Sequence, residues 1–229
     1  MQPVTTLQAS ATVFIVEDDP ELRETMCAVV EAVGLSPEAY GSGTEFLDKL
    51  DGSRPGCIVL DIRLPGMSGL EVHRRLKDLG NAHPVIIVSG HVDVPTAVKA
   101  MKNGAVDLLQ KPFSNQALLD LVQRCIEMDA HARKSAARRC VYLARYDQLT
   151  AREKEVMALL LGGDSNKKIA NKLNISPKTV ETHRANVMSK MKAASFADLV
   201  ETATLFIENA TVRAPLPGDE ARRNGGVKD

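Results

Sequence analysis

CIVLDIRLPGMSG, residues 57–69, opens on an apolar run, meets a single carboxylate at Asp61 and then breaks into a Pro-Gly turn. A short apolar run bounded by turn formers reads as a strand buried on both faces, the environment of a parallel sheet. Similar runs lie near 12–16, 36–40, 84–88 and 106–109. Amphipathic helical patterns fill the gaps near 20–33, 43–50, 68–79 and 94–103, and a fifth begins at Ser114. Five strands alternating with five helices predict an α/β fold: a flavodoxin-like doubly wound sheet of five parallel strands, in the order 2-1-3-4-5.

Ligands of open α/β sheets bind beyond the carboxyl ends of the strands, so the residues leaving each strand carry the chemistry. The first strand ends VFIVEDD, with Glu17 and Asp18 at its exit, and the third delivers Asp61. The fourth ends VIIVS at Ser89, and the fifth is followed by Lys111 and Pro112. Three carboxylates at one rim repel one another unless a cation or proton relieves them, and a hard divalent ion, Mg2+ by preference, suits oxygen ligands. With that ion bound, the Asp61 carboxylate can attack a phosphoryl group while the Lys111 ammonium and the Ser89 hydroxyl serve its equatorial oxygens. Singly, these residues have ordinary explanations: an Asp after a strand is commonly a helix N-cap, as Asp19 before Pro20 reads, and a Ser is commonly a turn residue. Their joint occupation of the right exits is what points to function.

A chain of 229 residues predicts two compact units. The formal net charge of zero hides an asymmetry: residues 1–126 carry 11 basic against 16 acidic side chains, and residues 127–229 carry 18 against 13. An acidic site in front and a polyanion-binding part behind would produce it. The four cysteines, Cys27, Cys57, Cys125 and Cys140, have no CxxC spacing and read as reduced thiols. No apolar run is long enough for a membrane span, and a cytoplasmic protein without membrane contact is expected.

From Ser114 to Leu161 there is neither Gly nor Pro, so the fifth helix is expected to run on as a helical linker. Beyond it the pattern is all helical, near 150–161, 165–172, 176–191 and 195–207. Thr150 with Glu153 forms a capping box, Ser176 before Pro177 an N-cap, and Ser195 with Asp198 a repeat of the capping pattern. The expected organisation is a flexible N-terminus (1–10), a first domain (11–126), a helical linker (127–146), an all-α four-helix domain (147–208) and a disordered tail (209–229). Residues 165–192 contain seven Lys and Arg against the single acid Glu181. SNKKIANKL, the turn NIS and PKTVETHRANVMSKM lay out a helix-turn-helix. At about 100° per residue, Val180, Val187 and Met191 share the core face of its second helix, and Lys178, Thr182, Ala185 and Ser189 the opposite one. Arg184 falls near the buried stripe and would extend to a phosphate.

VFIVEDDP, CIVLDIRLPGMSG, VIIVSGHVDVP and AMKNGAVDLLQKPF resemble the receiver signature of two-component response regulators, particularly the FixJ-type branch. The resemblance implies that Asp61 takes phosphate from a sensor histidine kinase and that Glu17, Asp18, Asp61 and the backbone carbonyl of Arg63 hold Mg2+. It further implies that Ser89 is the switch hydroxyl and that Lys111 precedes a cis peptide to Pro112. Two positions depart from the family. Leu108 stands where an aromatic switch residue is usual, and Glu17 where Asp is common.

Residues 149–200, from LTAREKEV to FADLV, resemble the LuxR/NarL-type DNA-binding domain. That resemblance implies contacts to double-stranded promoter DNA from Lys178, Glu181, Thr182 and Ala185, with Arg184 and Lys190 toward phosphates. It also implies a homodimer on phosphorylation, through a strip of Phe196, Leu199, Val200 and Ala203, with RNA polymerase as a further partner and activation as the favoured outcome. An enzyme is not expected, beyond the receiver assisting its own Mg-dependent phosphorylation and dephosphorylation. A phosphotransfer enzyme would need a substrate-recognition insertion, a small-molecule sensor a further ligand domain, and a thiol sensor would rest on Cys140 alone.

Overall fold

The computed structural model describes residues 11–90 and 94–210, with side chains through Thr204. The expected flexible N-terminus and, from residue 211, the expected tail lie outside the described residues. The chain divides into two compact units, residues 1–135 and 136–229.

In the first unit the strands are β1 (Thr12–Val16), β2 (Ser36–Tyr40), β3 (Gly56–Asp61), β4 (Val85–Ser89) and β5 (Asp107–Gln110), each within one residue of its expected place. They form one parallel sheet ordered β2-β1-β3-β4-β5. Burial explains the order. Every residue of β1, β3 and β4 is buried, as central strands covered on both faces must be, whereas β2 and β5 are partly exposed at the edges. Pro37, which has no N–H to give a ladder, sits in edge strand β2. Between the strands lie α1 (Pro20–Ala32), α2 (Gly43–Lys49), α3 (Gly69–Asp78) and α4 (Val94–Lys102). Asp19 caps α1, its carboxylate accepting from the amides of Glu21 and Leu22, and Ser42 and Ser68 cap α2 and α3.

Helix α5 runs unbroken from Asn115 to Tyr146. Its first half is built into the first unit well past Ile126. Asp129, 2% exposed, accepts through one oxygen from the Gly56 amide (2.9 Å) and Arg133 Nε (2.7 Å). The Arg133 guanidinium then donates to the carbonyls of Ser53 (2.7 Å) and Arg54 (2.6 Å). Asp129→Ala would leave the buried Gly56 N–H and the Arg133 Nε–H without their acceptor, and should destabilise the first unit by about 2–3 kcal/mol, read from its urea midpoint.

The second unit holds the last turns of α5 and helices α6 (Ala151–Leu161), α7 (Asn166–Leu173), α8 (Pro177–Met191) and α9 (Phe196–Ala210). Helix α9 continues through the first two residues of the expected tail, and Tyr142 of α5, 6% exposed, belongs to this unit's core. Two apolar clusters hold the unit together, one around Met157, Val187 and Leu199 and one around Val156, Ile169 and Val180.

The capping box at α6 is complete and extended. The Glu153 carboxylate accepts from the Thr150 amide (2.8 Å) and from Lys190 Nζ (2.6 Å) of α8. The Lys190 hydrogen bond, then that of Thr150, holds this carboxyl down at about 2 against an ordinary 4.5. A depressed folded-state pKa contributes stability that is complete above about 4.5 and fades as the pH falls toward 2. Glu153→Gln should therefore cost about 1–2 kcal/mol at neutral pH and flatten the acid limb of the unit's stability profile, followed by circular dichroism against pH.

Candidate functional site

The exits of β1, β3 and β5 meet at one rim. Glu17, the residue after β1, is 1% exposed and its amide donates to the Tyr40 carbonyl (3.1 Å). Asp61 ends β3 at 4% exposure, and the Arg63 amide donates to its Oδ1 (2.9 Å), which fixes the carboxylate plane. Lys111 follows β5 by one residue. Its amide donates to the Ser89 carbonyl (2.8 Å), and its peptide bond to Pro112 is cis.

The Lys111 ammonium bridges the two buried acids, 2.5 Å from Asp61 Oδ2 and 2.9 and 2.7 Å from Glu17 Oε1 and Oε2. Burial pushes the Glu17 carboxyl up to about 7, with the neighbouring Asp61 charge adding to it and the Lys111 hydrogen bonds opposing. Burial acts on Lys111 in the downward sense, yet its bonds to Asp61 and Glu17 outweigh that and raise it. Asp18 stands exposed at the mouth. One carboxylate oxygen from each of Glu17, Asp18 and Asp61 lies within 4.8 Å of the others. Hard oxygen donors so arranged are compatible with a divalent metal ion.

Ser89 closes β4 at 1% exposure. Leu108, opposite Ile87 in the β4–β5 register, packs half-buried against the core cluster containing Leu60, Ile87 and Ala100. A cleft of about 510 Å³ opens beside Lys111, lined by Asp19, Leu22, Pro112 and Phe113 among others.

In the second unit α7 ends on Asn174 in the left-handed conformation, and Ser176 with Pro177 starts α8. Asparagine tolerates that conformation, which lets the turn be short. Val180, Val187 and Met191 are buried on one face of α8. Lys178, Glu181, Thr182, Ala185, Asn186 and Ser189 are exposed on the other. Two side chains assigned to phosphates have partners inside the unit. Arg184 lies over the Phe196 ring (5.5 Å to its centroid) and donates to Asn166 Oδ1 (3.4 Å), and Lys190 holds Glu153. Leu199 and Ala203 of the apolar strip are 1% exposed in the unit's own core. The first unit's anchors, Asp129 and Arg133, were not among the expected functional residues, although their i, i+4 spacing was open to view.

Comparison with known proteins covers both units. Residues 13–123 match the family described as "Response regulator receiver domain", and residues 147–203 the family described as "Bacterial regulatory proteins, luxR family". The response regulator protein TodT of Pseudomonas putida F1 is 41% identical over 191 residues, 83% of this chain and 84% of that protein. The transcriptional regulatory protein FixJ of Azorhizobium caulinodans is 42% identical over 196 residues, 86% of this chain and 93% of that one. Among solved structures, the response regulator StyR superposes with a TM-score of 0.77 at 36% identity, over 85% of this chain and 98% of StyR.

Proposed function

Because this chain belongs to the response regulators that join a receiver to a LuxR-type DNA-binding domain, transcriptional regulators of two-component systems, we propose that Asp61 is its phosphoacceptor. The observation that carries this is the convergence of Glu17, Asp18, Asp61 and Lys111 on one rim. The donor is a sensor histidine kinase. An Asp61 oxygen bonds to phosphorus as the donor's P–N bond breaks, and the leaving imidazole nitrogen takes up a proton. Glu17, Asp18, Asp61 and the Arg63 carbonyl would hold Mg2+, which when bound would supply charge neutralisation at the phosphoryl oxygens.

Lys111 does the rest of the electrostatic work. Before transfer it bridges Glu17 and Asp61, and afterwards it turns to the acyl phosphate, which adds roughly two negative charges. The Ser89 hydroxyl donates to the same oxygens, and the shift of Ser89 and Lys111 reaches Leu108 and the α4–β5–α5 surface. Leucine fills space there without an aromatic ring's two positions, so the switch runs through the hydroxyl and the ammonium. The receiver's only chemistry is on its own aspartate.

The output is control of transcription in the cytoplasm. Phosphorylated receivers pair into a homodimer, which presents two α8 helices to promoter half-sites about one helical turn apart, and RNA polymerase is the partner through which activation follows. With Leu199 and Ala203 spent in the core, Val200 is the member of the α9 strip best placed for pairing. Footprinting of promoter DNA with and without a small phosphodonor tests this function: protection should strengthen with donor, and identical footprints would refute it.

Direct readout falls to Lys178, Glu181, Thr182 and Ala185, and small exposed residues let α8 lie deep in the major groove. Arg184 and Lys190 act as phosphate contacts only by giving up Asn166 and Glu153. Lys178→Ala and Thr182→Ala should each relax discrimination at one base pair by about 1–3 kcal/mol, and only Lys178→Ala should also lower the salt slope, by about one. Titrations of cognate and random duplexes at several salt concentrations separate the two.

A further inference from the structure

We infer that Arg23 is a positioning residue for the cation site, an inference that rests on the proposed role of Glu17 and Asp18 as ligands. Arg23 lies in the first turn of α1, half-buried, and one of its guanidinium nitrogens, Nη1, serves two acceptors. It donates to the backbone carbonyl of Glu17 at 2.7 Å and to that of Asp18 at 3.1 Å. Those are two successive residues of the β1–α1 turn, the ones whose carboxylates join Asp61 in the acidic cluster.

The two acids differ in what else directs them. Glu17 is fixed by the hydrogen bond its amide donates to the Tyr40 carbonyl and by both contacts with Lys111. Asp18 is exposed, and among the described residues no side-chain hydrogen bond orients its carboxylate. Its direction is therefore set through its backbone, and the Arg23 guanidinium is what holds that backbone's carbonyl. A charged donor bridging two carbonyls is a strong and geometrically selective tie.

Charge and geometry predict opposite outcomes, which makes the inference testable. Arg23 brings positive charge close to a site for a cation, so if it acted only as a charge, removing it would tighten Mg2+ binding. If it acts by orientation, removing it weakens binding, by about tenfold on the scale of residues that orient metal ligands.

The experiment is calorimetric titration of Mg2+ into the full chain as wild type, Arg23→Ala and Arg23→Lys, with thermal unfolding of each. The expected result is Mg2+ binding about tenfold weaker in Arg23→Ala. Arg23→Lys, which keeps the charge but loses the reach and fixed direction of Nη1, should fall between it and the wild type. Should Arg23→Ala fail to fold, Arg23→Lys decides alone, and any weakening in it supports orientation. Binding equal to or tighter than wild type in a folded variant overturns the inference while leaving the cation site in place. A wild type that binds no Mg2+ overturns the ligand assignment itself and this inference with it.

Discussion

Asp61→Asn should erase the whole effect of a phosphodonor on DNA binding, bringing the ratio of affinities with and without donor to about one. The amide oxygen of asparagine is no nucleophile toward phosphorus, and the substitution removes one of the three charges of the proposed cation site. The fold should survive. Lys111 keeps both contacts with Glu17, and the like-charge neighbour that helps raise the Glu17 carboxyl is gone. A normal melting temperature beside a flat donor response, measured on the same preparation, is the expected pair of results. A donor-dependent gain in this variant would move the acceptor elsewhere.

Gly69→Ala carries the largest expected loss of stability, about 4 kcal/mol or more, visible as a collapse of the receiver's urea midpoint. A β-carbon there would lie 1.9 Å from the Asp61 carbonyl oxygen and 2.8 Å from its carbonyl carbon. Both are backbone atoms, so no side chain can rotate aside. The Gly69 amide also donates to the Ile62 carbonyl (2.9 Å), which binds the start of α3 to the chain that carries Asp61. Relief of the clash displaces Asp61, so the fraction that folds should also phosphorylate slowly. Gly90→Ala is the control. Among the described residues its added carbon meets nothing within 4 Å, and it should change the stability by less than about 0.5 kcal/mol.

The fold was legible wherever the sequence pattern coincided with burial. Central strands covered on both faces leave continuous apolar runs, and β1, β3 and β4 are those runs. Capping was legible because it is local: Asp19, Thr150 with Glu153, and Ser176 each act within three residues of themselves. The acid set was legible because topology places strand exits side by side once the strand order is known. Long-range pairings left no such trace. Lys190 read as a phosphate contact because its partner Glu153 lies 37 residues away. Lys111 read as an anchor for a bound phosphoryl group, and its bidentate hold on Glu17 spans 94 residues. The segment from 127 onward read as linker because helix propensity cannot tell a free helix from one whose Asp129 reaches the Gly56 amide. Arg23 went unseen for a related reason, since what it binds is backbone carbonyls, which look alike in every sequence.

In the proposed function the buried carboxylate at the end of β3, beside Lys111 and the acids after β1, becomes an acyl phosphate. Mass spectrometry of the full chain after incubation with Mg2+ and a small phosphodonor tests it most directly, with borohydride reduction to mark the acyl phosphate before peptide mapping. One phosphoryl group per chain is expected, on Asp61, absent when Mg2+ is chelated. An unmodified chain, or a phosphoryl group on any other residue, would contradict it.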